Sequence, residues 1–539
     1  GKLYASRSNT LTDGSTQGHY TVNNGQYSQT YADVLVNINK RIQDFTIVAN
    51  IGASYSGVTS KELGYAGPIR ETGIPNLFNV YDLDNAKKRA TQVGWREATE
   101  SVFASAEVGW KSMLYLTVTG RNDWASQLTH SPQASFFYPS VGLSVVITEM
   151  LKLPDWVDYL KVRGSFSSVG NPYPRFLTYP TYSYDANKQD WKSQTNYPIG
   201  KLYPERTDSW EIGLDATLFK DFKLSGSFYY ANTYNQTFDP RLPVSSGYDK
   251  LYVQTGYVRN YGFEAMLSYG HRWGDFSWDS SFTFSANKNE IVELVKDYVH
   301  PETGKTYNVD KLELKTDEGR GFGKAKFILK EGGTLGDLYT HADLKRDING
   351  NILIDDSGNV TAIDNAGDIK LGSVLPKANL AWNNSFSYKG INAGFLLTAR
   401  LGGIVYSATQ AYLDLYGVSE TSAAARDAGG VWVNGRSRVN PQSFYEVVAS
   451  QSGLPTYYTY SATNLRLQEA HIGYTIPRRW LGNVCDINVS LVGRNLWMIY
   501  CKAPFDPEAV ATTNNYYQGI DYFMMPSTRN IGFNIKINF

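Results

Sequence analysis

Hydrophobic and polar residues alternate along most of this chain, and the alternation is clearest at its C-terminal end. Between residues 531 and 539 the odd positions are Ile, Phe, Ile, Ile and Phe, and the even positions are Gly, Asn, Lys and Asn. Successive side chains of a β-strand point to opposite faces, so this segment predicts a strand with one apolar and one polar face. Segments 160–167, 210–218 and 276–284 repeat the pattern. The chain is therefore predicted to be all-β.

About fifteen segments of roughly ten residues carry this alternation, whereas helical periodicity is scarce. The predicted strands are 29–40, 44–55, 100–110, 113–121, 138–148, 158–168, 208–218, 222–232, 253–270, 275–287, 377–388, 391–402, 464–475, 485–495 and 529–539. Strands of this length are long enough to cross a bilayer when they are tilted.

The connections between the predicted strands alternate between short and long. The short ones are the tight turns 41–43, 110–112, 219–221, 270–274 and 389–390. The long ones are 56–99, 122–137, 169–207, 233–252, 288–376, 403–463 and 496–528. Because consecutive antiparallel strands reverse direction, the short turns fall at one end of the sheet and the long loops at the other. This asymmetry is typical of a transmembrane β-barrel with periplasmic turns and extracellular loops.

A large water-soluble β-sandwich or propeller is the alternative, because half-buried strands also alternate. A propeller would show a repeat of roughly 40–50 residues, which this sequence lacks. Aromatic residues also stand near many predicted strand ends, among them Tyr55, Trp110, Tyr388 and Trp480. Such positions suit the aromatic girdles of a membrane barrel, which is the favoured interpretation.

Composition narrows the possible classes of protein. No run of about 18 apolar residues occurs, which excludes a transmembrane helix. The 51 Lys and Arg residues balance 51 Asp and Glu, so bulk charge gives no indication of nucleic-acid binding. Cys485 and Cys501 are the only cysteines, which excludes a disulfide framework or a Cys-based zinc site, and we expect both thiols to be unpaired. No G-x-S-x-G, P-loop or H-E-x-x-H motif is present, so neither an enzyme nor a cofactor is predicted.

A metal-like string, D-I-N-G-N, occupies residues 347–351 and is followed by Asp355 and Asp356. An EF-hand loop requires D-x-[DN]-x-[DN]-G with Glu at its twelfth position. Here the sixth position is Ile352 and the twelfth is Gly358. A β-turn in an exterior loop is therefore expected here rather than a calcium site.

Several motifs, arranged in the family's order, resemble the SusC/RagA family of TonB-dependent outer-membrane transporters. They are TGRNDW at 119–124, FFYPSVGLSVVI at 136–147, LKVRGSFSSVGN at 160–171, PERTDSWEIGLD at 204–215, LRLQEAHIGYTIPRRWL at 465–481, GRNLW at 493–497 and FDPE at 505–508. Each motif is weak alone, but together they are specific and cover most of the chain.

The resemblance implies an antiparallel 22-stranded barrel filled by an N-terminal plug, as barrels of this size are. On this basis residues 1–539 are expected to form the C-terminal part of the barrel, about its last fifteen strands. The plug domain and the first strands would lie outside this chain. The segment that couples the transporter to TonB would lie outside it as well.

The resemblance also implies a function, namely TonB-dependent active import of a nutrient oligomer across the outer membrane. The implied partners are a SusD-like surface lipoprotein that covers the extracellular mouth as a lid, TonB acting through the plug, outer-membrane lipid, and the remaining strands and plug. An oligosaccharide is the expected cargo, and an oligopeptide imported by the same mechanism is the alternative. A barrel without a transport function, an adhesin or an outer-membrane hydrolase, is the further alternative.

Candidate ligand-binding residues lie at the predicted outer mouth and in aromatic outer loops. They are Asn122, Asp123, Trp124, Tyr182, Tyr184, Trp191, Tyr457 and Tyr458. Aromatic faces with polar neighbours can stack on sugars, but they also form protein–protein contacts, so loop packing or lid contact is the commoner role for any one tyrosine. For 122–124, a structured turn is the commoner role. The predicted interior carries charges of both signs, which suits neutral or zwitterionic cargo.

Overall fold

The computed structural model describes residues 1–5, 14–177, 181–185, 190–193, 196–197, 202–238, 250–299, 304, 306–314, 323–511 and 518–539. Within these ranges the protein is dominated by one sheet of 16 antiparallel strands. One of them, Lys2–Tyr4, has only three residues. Each of the other fifteen overlaps one of the fifteen predicted strands, so the prediction of a large antiparallel all-β fold is confirmed.

The long strands of this sheet are numbered here in chain order. They are β1 (Gly18–Ile42), β2 (Phe45–Pro68), β3 (Arg89–Trp110), β4 (Leu114–Ala125), β5 (Ser135–Val146), β6 (Val157–Asn171), β7 (Glu205–Leu218), β8 (Phe222–Phe238), β9 (Val253–Trp273), β10 (Phe276–Glu293), β11 (Ala378–Tyr388), β12 (Ile391–Leu401), β13 (Asn464–Ile476), β14 (Asp486–Cys501) and β15 (Asn530–Asn538). Each pairs with the next strand along the chain.

Three strands are far longer than predicted. Strands β1, β2 and β3 have 25, 24 and 22 residues, whereas a tilted crossing needs only about 9–11. The hairpin of β1 and β2 is paired continuously from His19↔Pro68 to Ile42↔Phe45. Its outer half is built from polar and small residues, in which the apolar/polar contrast used for the prediction fades. These strands therefore extend well beyond the bilayer at the loop end.

The two faces of the sheet differ in chemistry, as the alternation predicts. On β3, β7 and β15 the alternating apolar side chains, such as Val102, Ile212 and Phe533, are strongly exposed. Exposed apolar residues in a continuous band are expected where a barrel meets lipid. The opposite, inward face carries Ser, Thr and charged residues.

Tight turns join the strands at one end of the sheet. Left-handed backbone conformations close them, with φ of 50° at Gln43, 49° at Lys111 and 47° at Lys389. The turn predicted at 270–274 lies later, because β9 continues to Trp273 before the chain reverses. A longer connection at the same end contains helix α1 (Ile147–Met150).

The long loops at the other end fold into a layer of their own. Three further helices lie there: α2 (Ala408–Leu415), α3 (Glu420–Asp427) and α4 (Pro441–Val448). Short strands accompany them: Val295–Val299, Thr306–Val309, Lys311–Leu314, Ala325–Lys330, Asp337–Thr340, Asp343–Leu344, Ala362–Ile363, Ile369–Ser373, Ile404–Ser407, Val431–Val433, Ser437–Val439, Thr459–Ser461 and Ile520–Asp521. We call this layer, the described residues 294–299, 306–314, 323–376, 403–463 and 518–523, the loop platform. Tyr182–Asp185 and Asp190–Ser193 form a separate hairpin.

Among the described residues, the buried hydrophobic clusters gather at the loop end of the sheet: a small one beside β4 and β5, with Leu128, Phe136 and Leu202, and two larger ones in the loop platform. Phe327, Leu338 and Tyr406 are fully buried there, together with Ala411 of α2 and Ile520. The wall needs no such core, because lipid covers its apolar side. Among the described residues, no helix combines the length and apolar character needed to span a bilayer.

Candidate functional site

Charged residues of both signs meet on the inward face of β6 and β7. Arg163 Nη1 lies 2.8 Å from Asp215 Oδ2, and Arg163 Nη2 lies 3.2 Å from Glu211 Oε1. Lys161 Nζ lies 3.7 Å from the same Asp215 oxygen, and Ser225 Oγ on β8 donates to the other oxygen at 2.7 Å. Two cations and two carboxylates thus compensate one another, so this part of the interior presents polarity without net charge.

A cavity of about 790 Å³ opens beside this cluster on the inward face. Its charged lining residues are Arg163, Glu264, Arg400 and Glu508, and the rest of the lining is mainly small or hydroxyl-bearing. Arg400, at the loop end of β12, donates from Nη2 to the Val374 carbonyl at 2.7 Å. The cavity therefore offers hydrogen-bonding groups and both charges to a bound molecule.

Asn122, Asp123 and Trp124 lie at the loop end of β4 and point to different faces. Asn122 and Trp124 share the strand face of Leu116 and Val118, the exposed apolar side. Asp123 points inward. The structure therefore divides this trio, and only Asp123 has access to the interior.

Asp123 is buried in a polar cluster on the inward face, at the loop end of β4. Arg121 Nε donates to Asp123 Oδ1 at 2.7 Å, and the Tyr138 hydroxyl donates to Oδ2 at 3.1 Å. Arg121 also donates to Ser101 Oγ at 2.8 Å and lies over the Phe103 ring. Asp123 lines a cavity of about 590 Å³, together with Arg121 and Tyr138. The Asp123 carboxylate therefore links Arg121 of β4 to Tyr138 of β5 at the edge of this cavity.

Tyr182, Tyr184 and Trp191 stand on the separate loop hairpin, where all three side chains are exposed. Tyr184 pairs directly with Trp191 across the hairpin, and their ring centroids lie 5.3 Å apart. Trp191 is 66% exposed and Tyr184 is 52% exposed. The two rings are tilted by 59° to each other, so each of them offers its own accessible aromatic face for stacking.

Tyr457 and Tyr458 are part of the loop platform's interior. Tyr458 is only 2% exposed, and its hydroxyl donates to Asp414 Oδ2 at 3.0 Å. Burial, and then the Asp414 charge, raise the pKa of Tyr458 well above its usual range. Tyr457 packs edge-on against Phe444 of α4. The structure therefore gives Tyr458 a packing role, because no surface ligand reaches its ring.

Sequence reasoning missed a charged cluster at the loop ends of β13 and β14. Arg466 binds Asp506 with both guanidinium nitrogens, at 2.8 and 3.2 Å, and Nη2 lies 3.2 Å from Glu508 Oε2. The signal was present, because Arg466 belongs to the LRL motif and both acids belong to FDPE. Glu508 also lines the larger cavity, so this cluster connects the wall to the candidate cargo space.

The D-I-N-G-N string forms a turn, as expected. Asp347 Oδ1 accepts the backbone N–H groups of Asn349 and Asn351, both at 2.8 Å. Asp355 binds Ser357 and Asn359 in the same way, at 2.9 and 2.8 Å. Across the described ranges, no three His, Cys, Asp or Glu side chains gather as a metal site. Both cysteines are free thiols, which confirms the expectation.

An extended antiparallel sheet with an apolar outer face, a polar inner face and its long loops at one end is typical of an outer-membrane β-barrel. The chain matches the model of the family described as TonB dependent receptor-like, beta-barrel, over residues 2–496. It belongs to this family, and its location is the outer membrane.

Relatives and solved structures agree with this assignment. TonB-dependent receptor P3 of Formosa agariphila is 24% identical over 90% of this chain and 50% of its own length. TonB-dependent receptor SusC of Bacteroides thetaiotaomicron is 24% identical over 74% of this chain and 40% of its own length. A structure of the RagAB peptide transporter matches the fold with a TM-score of 0.76 and 18% identity, over 98% of this chain and 57% of that one. The chain thus spans about half the length of the curated relatives it matches.

Proposed function

We propose that this chain is the larger part of the barrel of a TonB-dependent transporter that imports a nutrient oligomer across the outer membrane. The observation that carries the proposal is the contrast between an apolar outer wall and a polar, charge-compensated inner wall, in a member of this receptor family. A wall of this kind provides a path for a hydrated molecule that lipid excludes. The total of 22 strands and the plug that fills them stay predictions.

The loop platform is the proposed seat of a SusD-like lipoprotein lid. It is a folded layer with its own buried core, so it presents a stable surface at the extracellular mouth. Exposed apolar side chains on it, including Leu413, Tyr416, Val418 and Trp432, are the kind that anchor protein contacts. Energy would be supplied by TonB through a plug that is not among these residues.

An oligosaccharide is the proposed cargo. The exposed pair of Tyr184 and Trp191 supplies aromatic faces of the type that stack on sugar rings. The larger cavity adds hydroxyl, amide and charged groups that can bind sugar hydroxyls. Its balance of charge favours an uncharged molecule over a polyanion.

An oligopeptide is the second candidate. The larger cavity holds two arginines and two glutamates, which can pair with the carboxylate and ammonium ends of a peptide. One structural relative is itself described as a peptide transporter, which supports keeping this candidate.

Uptake by cells with and without the gene tests these proposals. We expect the deletion strain to lose uptake of one labelled class, oligosaccharides or oligopeptides, and an uncoupler of the proton gradient to abolish uptake in the parent strain. Unchanged uptake of both classes would refute the import function. Loss of surface adhesion, or cargo cleavage by the purified protein, would instead support the adhesin or the hydrolase.

A further inference from the structure

Three of the tight turns share one local design. In each, an aromatic residue is followed by a lysine whose backbone has a positive φ. The pairs are Trp110-Lys111, Phe219-Lys220 and Tyr388-Lys389, with lysine φ values of 49°, 66° and 47°. A lysine rarely adopts this left-handed conformation, so its repetition at one end of the barrel indicates a recurrent local structure.

The turn at Lys111 joins three kinds of group. Lys111 Nζ lies 5.4 Å from the centre of the Trp110 ring and 3.5 Å from Asp44 Oδ2. Asp44 belongs to the neighbouring turn, between β1 and β2, and its carbonyl also accepts the Lys111 N–H at 2.9 Å. The lysine and aspartate side chains are both about half exposed.

The turn at Lys389, between β11 and β12, repeats this arrangement. Lys389 Nζ lies 5.4 Å from the centre of the Tyr388 ring and 3.8 Å from Asp275 Oδ2. Asp275 again comes from the neighbouring turn, between β9 and β10. Two distant hairpins thus display the same ring, ammonium and carboxylate.

The third turn, at Lys220, differs because its aspartate binds the lysine backbone. Asp158 Oδ2, at the start of β6, accepts the backbone N–H of Lys220 at 2.5 Å. Phe219 stacks on Trp156, with centroids 5.6 Å apart. The aspartate is held here by the backbone N–H of Lys220, and the lysine side chain is exposed.

The rings lie on the lipid side of the wall. Trp110 shares its strand face with the exposed Val102, and Tyr388 shares its face with the exposed Trp382. Aromatic residues at this height mark the level of the lipid headgroups. The lysines and aspartates therefore stand where headgroup phosphates and amines meet the protein.

We propose that these turns bind the headgroups of zwitterionic phospholipid, of the phosphatidylethanolamine type, in the leaflet that faces the turns. The lysine ammonium would bind the lipid phosphate, and the aspartate with the aromatic face would bind the lipid ammonium. Ion pairs between half-exposed partners contribute little on their own, so each partner can exchange its protein contact for a lipid contact. The inference rests on the outer-membrane location and is independent of the proposed import.

Native mass spectrometry of the full-length protein in detergent tests this site. Dioleoyl phosphatidylethanolamine and dioleoyl phosphatidylglycerol are titrated into wild type, into Lys111→Gln/Lys389→Gln and into the matched control Lys345→Gln/Lys502→Gln, whose lysines are exposed away from the turns. We expect the turn variant to bind the ethanolamine lipid about fivefold more weakly at each altered site, and the control to match wild type.

A second variant tests recognition of the lipid ammonium separately from recognition of the lipid phosphate. Asp44→Asn/Asp275→Asn should lose affinity for the ethanolamine lipid while keeping its affinity for the glycerol lipid, which lacks the ammonium. Inorganic phosphate at millimolar concentration should not displace the lipid, and displacement would assign the site to free phosphate. Equal lipid binding by wild type and both turn variants, all with native heat-modifiable migration, would overturn the proposal.

Discussion

Arg466 and Asp506 form a bidentate ion pair that joins the start of β13 to the segment after β14, across 40 residues of sequence. The two side chains are almost completely buried, at 5% and 10% exposure. Burial raises the pKa of Asp506, but the hydrogen bonds from Arg466 and from the Glu508 backbone outweigh it and hold the pKa below its usual value. The aspartate is therefore charged at neutral pH and compensates a buried guanidinium.

Asp506→Asn should destabilise the protein substantially, because it leaves Arg466 buried with only Glu508 as a charged partner. We expect a loss of about 3 kcal/mol in the free energy of unfolding, towards the low end for a broken buried pair. Denaturant unfolding of the full-length protein in lipid vesicles measures it. Asp356→Asn, at an exposed loop position, is the control and should change stability by less than about 0.5 kcal/mol. Equal effects of the two substitutions would contradict this account.

Asp368 should make the loop platform sensitive to acid. Hydrogen bonds from Lys311 and then Lys330 hold its pKa well below the ordinary value of 3.8. Because the folded pKa is the lower one, this stabilisation is complete above the unfolded value and is lost as the pH falls through the folded value. The difference in melting temperature between wild type and Asp368→Asn should therefore be largest near neutral pH and should shrink below about pH 4. A difference that stays constant with pH would count against this role.

Ile212 and Ser165 provide a test of which face meets lipid. They lie at similar depth on β7 and β6 but on opposite faces, since Ser165 pairs with Glu211. Ile212→Arg should destabilise the folded protein in vesicles by about 2–4 kcal/mol, as arginine does near the bilayer midplane. Ser165→Arg, on the inner wall, should cost far less. Similar costs for both would mean that the faces are wrongly assigned.

Tyr458→Phe removes one of the donors to Asp414, which also accepts hydrogen bonds from Gln410 and Ser419. We expect a loss of roughly 1.5–3 kcal/mol, the range for a hydrogen bond to a charged group. The loss should appear as faster proteolysis within residues 403–463. Tyr416→Phe, at an exposed tyrosine of the same platform, should leave the cleavage rate unchanged.

Trp191→Ala should weaken cargo uptake if the exposed aromatic pair stacks on the cargo. The expected loss is about 1–1.5 kcal/mol, or roughly tenfold in apparent affinity, because an aromatic pair contributes this much beyond buried area. Concentration-dependent uptake of the labelled oligomer measures it. Trp480→Ala, at an exposed tryptophan on the turn side, is the matched control. Uptake unaffected by Trp191→Ala would remove this hairpin from the cargo path.

The fold was predictable because each membrane-spanning strand carries its own pattern of apolar and polar residues. A strand with lipid on one side must alternate apolar and polar residues, so β7 or β15 can be recognised from its own sequence. The outer half of β1 was not predicted, because water lies on both of its faces and its apolar and polar residues no longer alternate. Helices α2 to α4 were not predicted, because each has only eight residues and is stabilised by neighbouring segments of the loop platform.

The candidate site was predictable only in part. Tyr184 and Tyr458 look alike in sequence, yet one stands on a hairpin and the other is enclosed by α2 and its neighbours. Burial depends on which distant segments fold together, and that information is absent from the count of aromatic residues. The pairing of Arg466 with Asp506 likewise required two motifs that the chain brings together only in three dimensions.

The unequal lengths of the strands give the barrel's mouth a slanted rim. At about 3.3 Å per residue, β1 is roughly 80 Å long, whereas the 12 residues of β4 and of β5 reach only about 40 Å. The wall therefore extends further from the membrane at β1 than at β4 and β5, which form its lower side. On the proposed import function, a bulky polymer arriving from outside would be turned towards this lower side, so the height of the backbone would select its direction of approach.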